Sequence, residues 1–135
     1  MGQIFVDTAA WIALLNKDDT LHARAQQIMK RLRRQRTRLV TTEFVLLEVA
    51  DALSAPAHRT RTVEFINGLR QLRILLIIPA SQNLWAEGWK LYSERRDKNW
   101  SLTDCSSFVV MKQLGLTQSF TSDHNFEQAR FVKLL

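Results

Sequence analysis

A single cysteine, Cys105, stands in this chain of 135 residues. That excludes an internal disulfide and fits a reducing compartment. Within an apolar helical stretch, it reads as an inert small hydrophobe. The three histidines, His22, His58 and His124, share no ligand-like spacing, so a histidine-built metal site is not expected. No apolar run approaches the roughly 18–20 residues a membrane span needs. The opening MGQIFVDTAAWIALL lacks a basic leader and is interrupted by Asp7, so no signal peptide is expected. Repeats, low-complexity tracts and linkers are also missing. One domain over residues 1–135, in a soluble cytoplasmic protein, is the expectation.

Acidic residues are the scarcer charge. Thirteen Asp and Glu face nineteen Lys and Arg, a net charge of +6. The surplus favours a polyanionic partner, nucleic acid before an acidic protein or a membrane surface. Its distribution is uneven: residues 30–38, KRLRRQRTR, hold six basic side chains in nine positions. Cations there also suit the negative end of a helix dipole, so a solvated helix end competes with phosphate binding. Arg95, Arg96 and Lys98 form a second patch. Arg33, Arg34, Arg36, Arg95, Arg96 and Lys98 are the candidate RNA-phosphate contacts.

Strands alternate with helices along the chain. Ile4-Phe5-Val6 reads as a buried strand ending at Asp7, followed by a helix from Thr8 to about Asn16. Leu21, Ala25, Ile28 and Leu32 recur at helical spacing before the basic run. Leu39-Val40-Thr41 predicts a strand, Thr42 a cap, and residues 43–53 a helix. Pro56 is read as closing that unit, with the next helix starting at Thr60 or Thr62 and carrying Val63, Ile66 and Leu69 on one face. Ile74 to Ile78 is apolar without alternation, the pattern of a strand buried on both faces. Helices over 81–95 and 103–114 follow, the second ended by Gly115. A short strand at 119–121, a brief helix near 124–130 and a last strand at 131–133 complete the reading. This order implies a parallel sheet with helices on both faces.

Four acids sit where apolar runs hand over to helices, or inside one. Asp7 and Asp123 each follow a strand and have an innocent role as helix caps. Asp104 has one too, because Ser101-Leu102-Thr103-Asp104 fits a capping box. Glu48 is harder to explain: FVLLEVADAL over 44–53 is apolar at eight of ten positions, and Glu48 falls inside an apolar sector. A buried pair with an arginine is the alternative there. In a parallel α/β sheet the carboxyl ends of the strands open on one edge, where ligands bind beside a reversal of strand order. Asp7, Glu48, Asp104 and Asp123 can all converge on that edge. Carboxylates so close cannot all stay ionised without a cation. An all-oxygen set suits Mg²⁺ or Mn²⁺ rather than structural zinc. Thr8, Thr121 and Asn125 are candidate supports for these ligands.

The segments VDTAAWIALL, TTEFVLLEVADAL and WSLTDCSSFVVMKQLGLTQSFTSDHNF resemble the PIN-domain family, most nearly its small VapC-like ribonucleases of toxin–antitoxin pairs. The resemblance spans nearly the whole chain. It implies a three-layer α/β/α sandwich with a central parallel sheet, and cleavage of RNA with Mg²⁺ or Mn²⁺. The family's acidic positions fall on Asp7, Glu48, Asp104 and Asp123, and its frequent hydroxyl neighbours on Thr8 and Thr121. Asn125 stands where many relatives carry a further acid. A cognate antitoxin protein, encoded beside the toxin, is the implied partner, and a homodimer is expected. Rival readings are a non-catalytic RNA-binding module with the same fold, and a phosphatase or receiver-like enzyme. The latter would need a lysine after a strand end, which is not evident here.

Among the remaining residues, Trp85 and Trp89 read as a core or interface stripe with Leu84, Gly88 and Tyr92. Trp100, in a polar turn, is the better candidate to stack on an RNA base. His124 reads as an exposed polar residue. Cys105 has no histidine placed to activate it as a nucleophile.

Overall fold

The computed structural model describes residues 2–135. Five parallel strands form its centre: β1 (Gln3–Val6), β2 (Arg38–Thr42), β3 (Leu75–Ile78), β4 (Gln118–Phe120) and β5 (Val132–Lys133). They lie in the order β3-β2-β1-β4-β5. Ile4 pairs with Leu39 and Phe5 with Val40 on one side of β1, while Val6 pairs with Phe120 on the other. Phe5, Val6, Val40 and Phe120 are wholly buried, as expected for central strands covered on both faces.

Seven helices connect the strands: α1 (Thr8–Leu15), α2 (His22–Arg34), α3 (Glu43–Ala52), α4 (Pro56–Leu69), α5 (Gln82–Glu94), α6 (Leu102–Leu114) and α7 (Asn125–Gln128). The chain first moves outward from β1 to β2 to β3, then returns past β1 to β4 and β5. Right-handed crossovers put helices from the outward path on one face and those from the return path on the other. The result is the three-layer sandwich. Its strand order reverses beside β1, which aims the ends of β1 and β4 at one crevice.

Local chemistry fixes the helix ends that matter for this crevice. Thr42 accepts the Val45 amide at 3.1 Å and starts α3 as expected. The capping box of α6 is complete: Ser101 Oγ accepts the Asp104 amide at 2.9 Å, and Asp104 Oδ2 accepts the Ser101 amide at 3.1 Å. Gly115 ends α6 in the left-handed region at φ 67°.

Three sequence expectations need correction. Pro56 does not close a unit but opens α4; at a first helical position its missing N–H costs nothing. Val63 is exposed, and the face α4 buries is Thr62, Phe65, Ile66 and Leu69, with Phe65 edge-on to Trp11. The apolar run at 74–78 is not buried on both faces either. β3 lies at the sheet edge, and Leu76 is exposed. An unbroken apolar run reports burial pressure without saying how many neighbours a strand has.

Candidate metal centre

Asp7 leaves β1 at its carboxyl end and precedes α1 directly. Its backbone is extended, as at an N-cap, yet its side chain makes no capping hydrogen bond. The innocent explanation therefore fails for this residue. Instead, Oδ2 accepts from the Thr121 hydroxyl at 2.9 Å, while Oδ1 is buried with no hydrogen-bond partner. Thr121 follows β4, so this bond ties together the two strands that flank the order reversal. The same Thr121 oxygen accepts the Asp123 amide at 3.0 Å. One hydroxyl thus fixes two acids.

Asp104 keeps its capping-box role, whereas the N-cap of α7 is His124 and not Asp123. Asp104 Oδ2 holds the Ser101 amide and also accepts from Asn125 Nδ2 at 3.1 Å. Asp123 Oδ1 accepts the Asn125 amide at 2.9 Å. Asn125 therefore bridges two acids, and its amide also reaches the Asn99 carbonyl at 3.4 Å. Each acid offers an oxygen such that, across Asp7, Asp104 and Asp123, these atoms all lie within 4.8 Å of one another.

Electrostatics make this an unstable arrangement for bare carboxylates. Burial pushes the Asp7 carboxyl up to about 7, opposed by the Thr8 amide and the Thr121 hydroxyl and aided by the charges of Asp104 and Glu48. Asp104 is also raised, first by burial and then by Asp123 and Glu48, while Ser101 and Asn125 pull the other way. Among the described residues the ion pairs are Arg70–Glu43 and Arg95–Asp97, and neither touches these acids. The described residues pair no cation with these acids. A buried Asp7 oxygen without a partner, in a group whose members among the described residues are all carboxylates, is the chemistry of a hard divalent cation site.

Glu48 departs from expectation in two ways. It is half-buried rather than enclosed, because α3 exposes Leu47 beside it and is not apolar all round. It also stands outside the tight group of three acids. Its charge nevertheless bears on both Asp7 and Asp104. No arginine pairs with it among the described residues, which removes the buried-pair alternative.

Other expectations divide similarly. Thr121 and Asn125 donate to Asp7 and Asp104, whereas the Thr8 hydroxyl is buried without a hydrogen-bond partner. Trp100 is buried, donates to Gln128 Oε1 at 3.0 Å and packs edge-on against Phe108, so it cannot stack on RNA. Arg95 forks onto Asp97 at 3.1 Å through two nitrogens and lies over the Trp100 ring, so its guanidinium is already engaged. Arg96 is exposed, and with Lys98 it borders a cleft that also contains Asn99. Through Asn125, that loop meets Asp104. Arg33, Arg34 and Arg36 are not brought to the acids. They precede β2, whose Arg38 pairs with Gln3 at the amino end of β1.

Trp85, Trp89 and Tyr92 are half exposed and stacked along α5, so the interface half of their reading survives and the core half does not. Cys105 is buried and its thiol is pushed up to about 11 by burial and by Asp104, which makes it inert. One supporting group escaped the sequence reading. The Thr41 hydroxyl accepts from Trp11 Nε1 at 3.1 Å and donates to the Val6 carbonyl at 2.8 Å, bracing the strand end that carries Asp7. A tryptophan in an apolar stretch, needing an acceptor for its N–H, was the available signal.

A parallel sheet with three carboxylates gathered at its order reversal defines an α/β protein with an acidic, oxygen-only centre. The PIN domain matches residues 4–132, and the chain belongs to that family. It is 28% identical over 132 residues to the 23S rRNA-specific endonuclease VapC20 of Mycobacterium tuberculosis, covering 97% of each chain. The crystal structure of that VapC20, described as a sarcin–ricin loop cleaving toxin, superposes with a TM-score of 0.84 at 26% identity, over 97% of this chain and 98% of the other. FitAcB from Neisseria gonorrhoeae shares the fold at 17% identity and a TM-score of 0.67, over 98% and 96% of the two chains. VapBC2 from Rickettsia felis, bound to a promoter DNA fragment, does so at 15% and 0.66, over 99% and 98%.

Proposed function

We propose that this chain is a metal-dependent endoribonuclease, the toxin of a toxin–antitoxin pair, acting in the cytoplasm. The observation that carries the reading is a carboxylate oxygen from each of Asp7, Asp104 and Asp123 within 4.8 Å of one another, with a buried Asp7 oxygen left unpartnered. Those three acids would hold Mg²⁺ or Mn²⁺, with Glu48 close enough to join through its charge or through water. When bound, such an ion supplies a water acidic enough to lose its proton near neutral pH and offsets charge on the scissile phosphate.

The chain's own residues provide placement. Thr121 fixes Asp7 and Asp123 relative to each other, and Asn125 fixes Asp104 against Asp123. These bonds come from three segments, so the acids are held before any ligand arrives, which is where electrostatic catalysis gains most. Arg96 and Lys98 border the loop that meets Asn125, and would meet phosphates approaching the acids. The likeness to VapC20 makes ribosomal RNA the first substrate to test, with a structured loop as its target.

Two protein partners belong to this reading. A second copy would dock on the stacked Trp85, Trp89 and Tyr92 of α5, giving a homodimer. An antitoxin would place an acidic segment on the basic surface and a cation against the carboxylates, excluding the metal; burial of such a pair would mainly slow dissociation. No helix among the described residues is long and apolar enough to cross a membrane.

The direct test is incubation of the purified chain with ribosomes or ribosomal RNA, with Mg²⁺, with Mn²⁺ or with chelator, followed by sequencing of the new RNA ends. A single metal-dependent cut with a 5′-phosphate end, lost in Asp7→Asn, is expected. A folded, metal-binding protein that cuts no RNA would overturn the endonuclease reading and leave an RNA-binding module.

A further inference from the structure

The edge of the sheet opposite the acids carries a second charged feature. Arg33, Arg36, Arg38 and Arg73 line one open cavity of about 460 Å³, with only Thr37 and Ile74 beside them. All four arginines are exposed, and none has a carboxylate partner among the described residues. They come from separate pieces of chain: the end of α2, the turn after it, the first residue of β2, and the loop between α4 and β3. The fold gathers these charges where the sequence run alone would have spread them around a helix.

The turn itself is built to present one of them. Thr37 donates to the Leu32 carbonyl and Arg36 to the Arg33 carbonyl, both at 3.0 Å, the pattern of a Schellman cap. Arg36 occupies its left-handed position at φ 54°, where glycine or asparagine ordinarily sits. A bulky cation held there at steric cost contributes nothing to packing, since it is exposed.

Helix dipoles explain part of the cluster. Helices α2 and α4 both end near this edge, and each contributes about half a negative charge. Four guanidinium groups exceed that by roughly three charges, and Arg38 and Arg73 lie outside any helix. The surplus calls for a polyanion, and guanidinium forks match phosphate oxygens in pairs.

We propose that Arg33, Arg36, Arg38 and Arg73 form an exosite for the phosphate backbone of base-paired RNA. Resting on the endoribonuclease reading for its ligand, the exosite holds a stem while the acids engage the attached loop. The spacing permits this. Strand β2 separates the two edges, about 13 Å for its five residues. Contacts to phosphates leave sequence choice to the other edge.

The test is binding of labelled hairpin RNA in chelator, where metal-dependent cutting is off, across a range of salt. One hairpin has a long paired stem; the other has the same loop on a minimal stem. For Arg36→Gln/Arg38→Gln/Arg73→Gln, affinity for the long-stem RNA should fall about tenfold at moderate salt. The slope of log affinity against log salt should flatten by about 0.9 for each phosphate no longer neutralised. The charge-matched control Arg24→Gln/Arg61→Gln/Lys112→Gln should change affinity less than about twofold. If the triple variant does not fold, Arg73→Gln alone carries the test through one unit of slope. An unchanged slope, equal losses on both hairpins, or no binding of the long stem by the native chain would overturn the exosite. Displacement of the RNA by poly-glutamate as readily as by duplex RNA would reassign the pocket to an acidic protein. A chain that binds the stem through these arginines yet cuts nothing when metal is added would lose the nuclease reading and keep the exosite.

Discussion

The two edges of one small sheet are built on opposite principles. At the carboxyl edge, Asp7 and Asp104 are buried, hydrogen-bonded from neighbouring segments and crowded within 4.8 Å of Asp123. At the amino edge, four arginines are exposed and share no internal bonds to a carboxylate. Like charges crowded in a buried place demand a specific ion at fixed distances. Like charges spread in water tolerate a diffuse polyanion. Charge sign alone would class both edges as binding surfaces; burial and rigidity separate chemistry from attachment.

The acidic edge should be the more fragile under substitution. Asp7→Asn should lower RNA cleavage by at least about a hundredfold, since it removes the buried ligand with the free oxygen. The same variant should gain stability without metal. A carboxyl whose folded pKa, about 7, exceeds its unfolded value of 3.8 is ionised at a cost in the folded state. Stability present below about pH 4 is therefore lost as pH rises towards 7, by up to about 4 kcal/mol. Denaturant melts in chelator should show that decline for the native chain and a much flatter profile for Asp7→Asn. A flat native profile would mean that Asp7 is not held as described.

Removing a support should do less than removing a ligand. Asn125→Ala removes the side-chain bond to Asp104 while keeping the backbone bond to Asp123, and metal affinity should drop about 10- to 100-fold with little change in melting without metal. Calorimetric titration checks this. Glu48→Gln should alter the stability of the metal-free protein by less than about 0.5 kcal/mol, because the side chain is half-buried and unpaired. A loss of about 3–5 kcal/mol would instead reveal a charge partner.

What the sequence encodes locally follows the same division. The parallel sandwich, the capping box at Ser101–Asp104 and the nearness of Thr121 and Asn125 to the acids were readable. Each is encoded locally, by strand–helix alternation, cap spacing and residues beside the acids. Long-range geometry was not. Trp100 follows a polar turn in the sequence, yet Phe108 of α6 packs against it and the distant Gln128 accepts its N–H. Arg95 looked free, but its fork onto Asp97 depends on how the loop folds. Arg73 carries no such signal, because nothing in the run around it shows that it meets Arg36 and Arg38. Edge position likewise escaped, since Ile74–Ile78 reads the same in a central strand or an outer one.

The role proposed for Asp7, Asp104 and Asp123 is to hold a divalent cation. Its most direct test is a melting-temperature titration of the native chain and of Asp7→Asn with Mg²⁺ and Mn²⁺ near pH 7.5. Binding to the folded state alone should stabilise the native chain by about 2.7 kcal/mol at a hundredfold excess over Kd, and the variant hardly at all. An unshifted native melting curve at millimolar metal, or an equal shift in Asp7→Asn, would contradict the account.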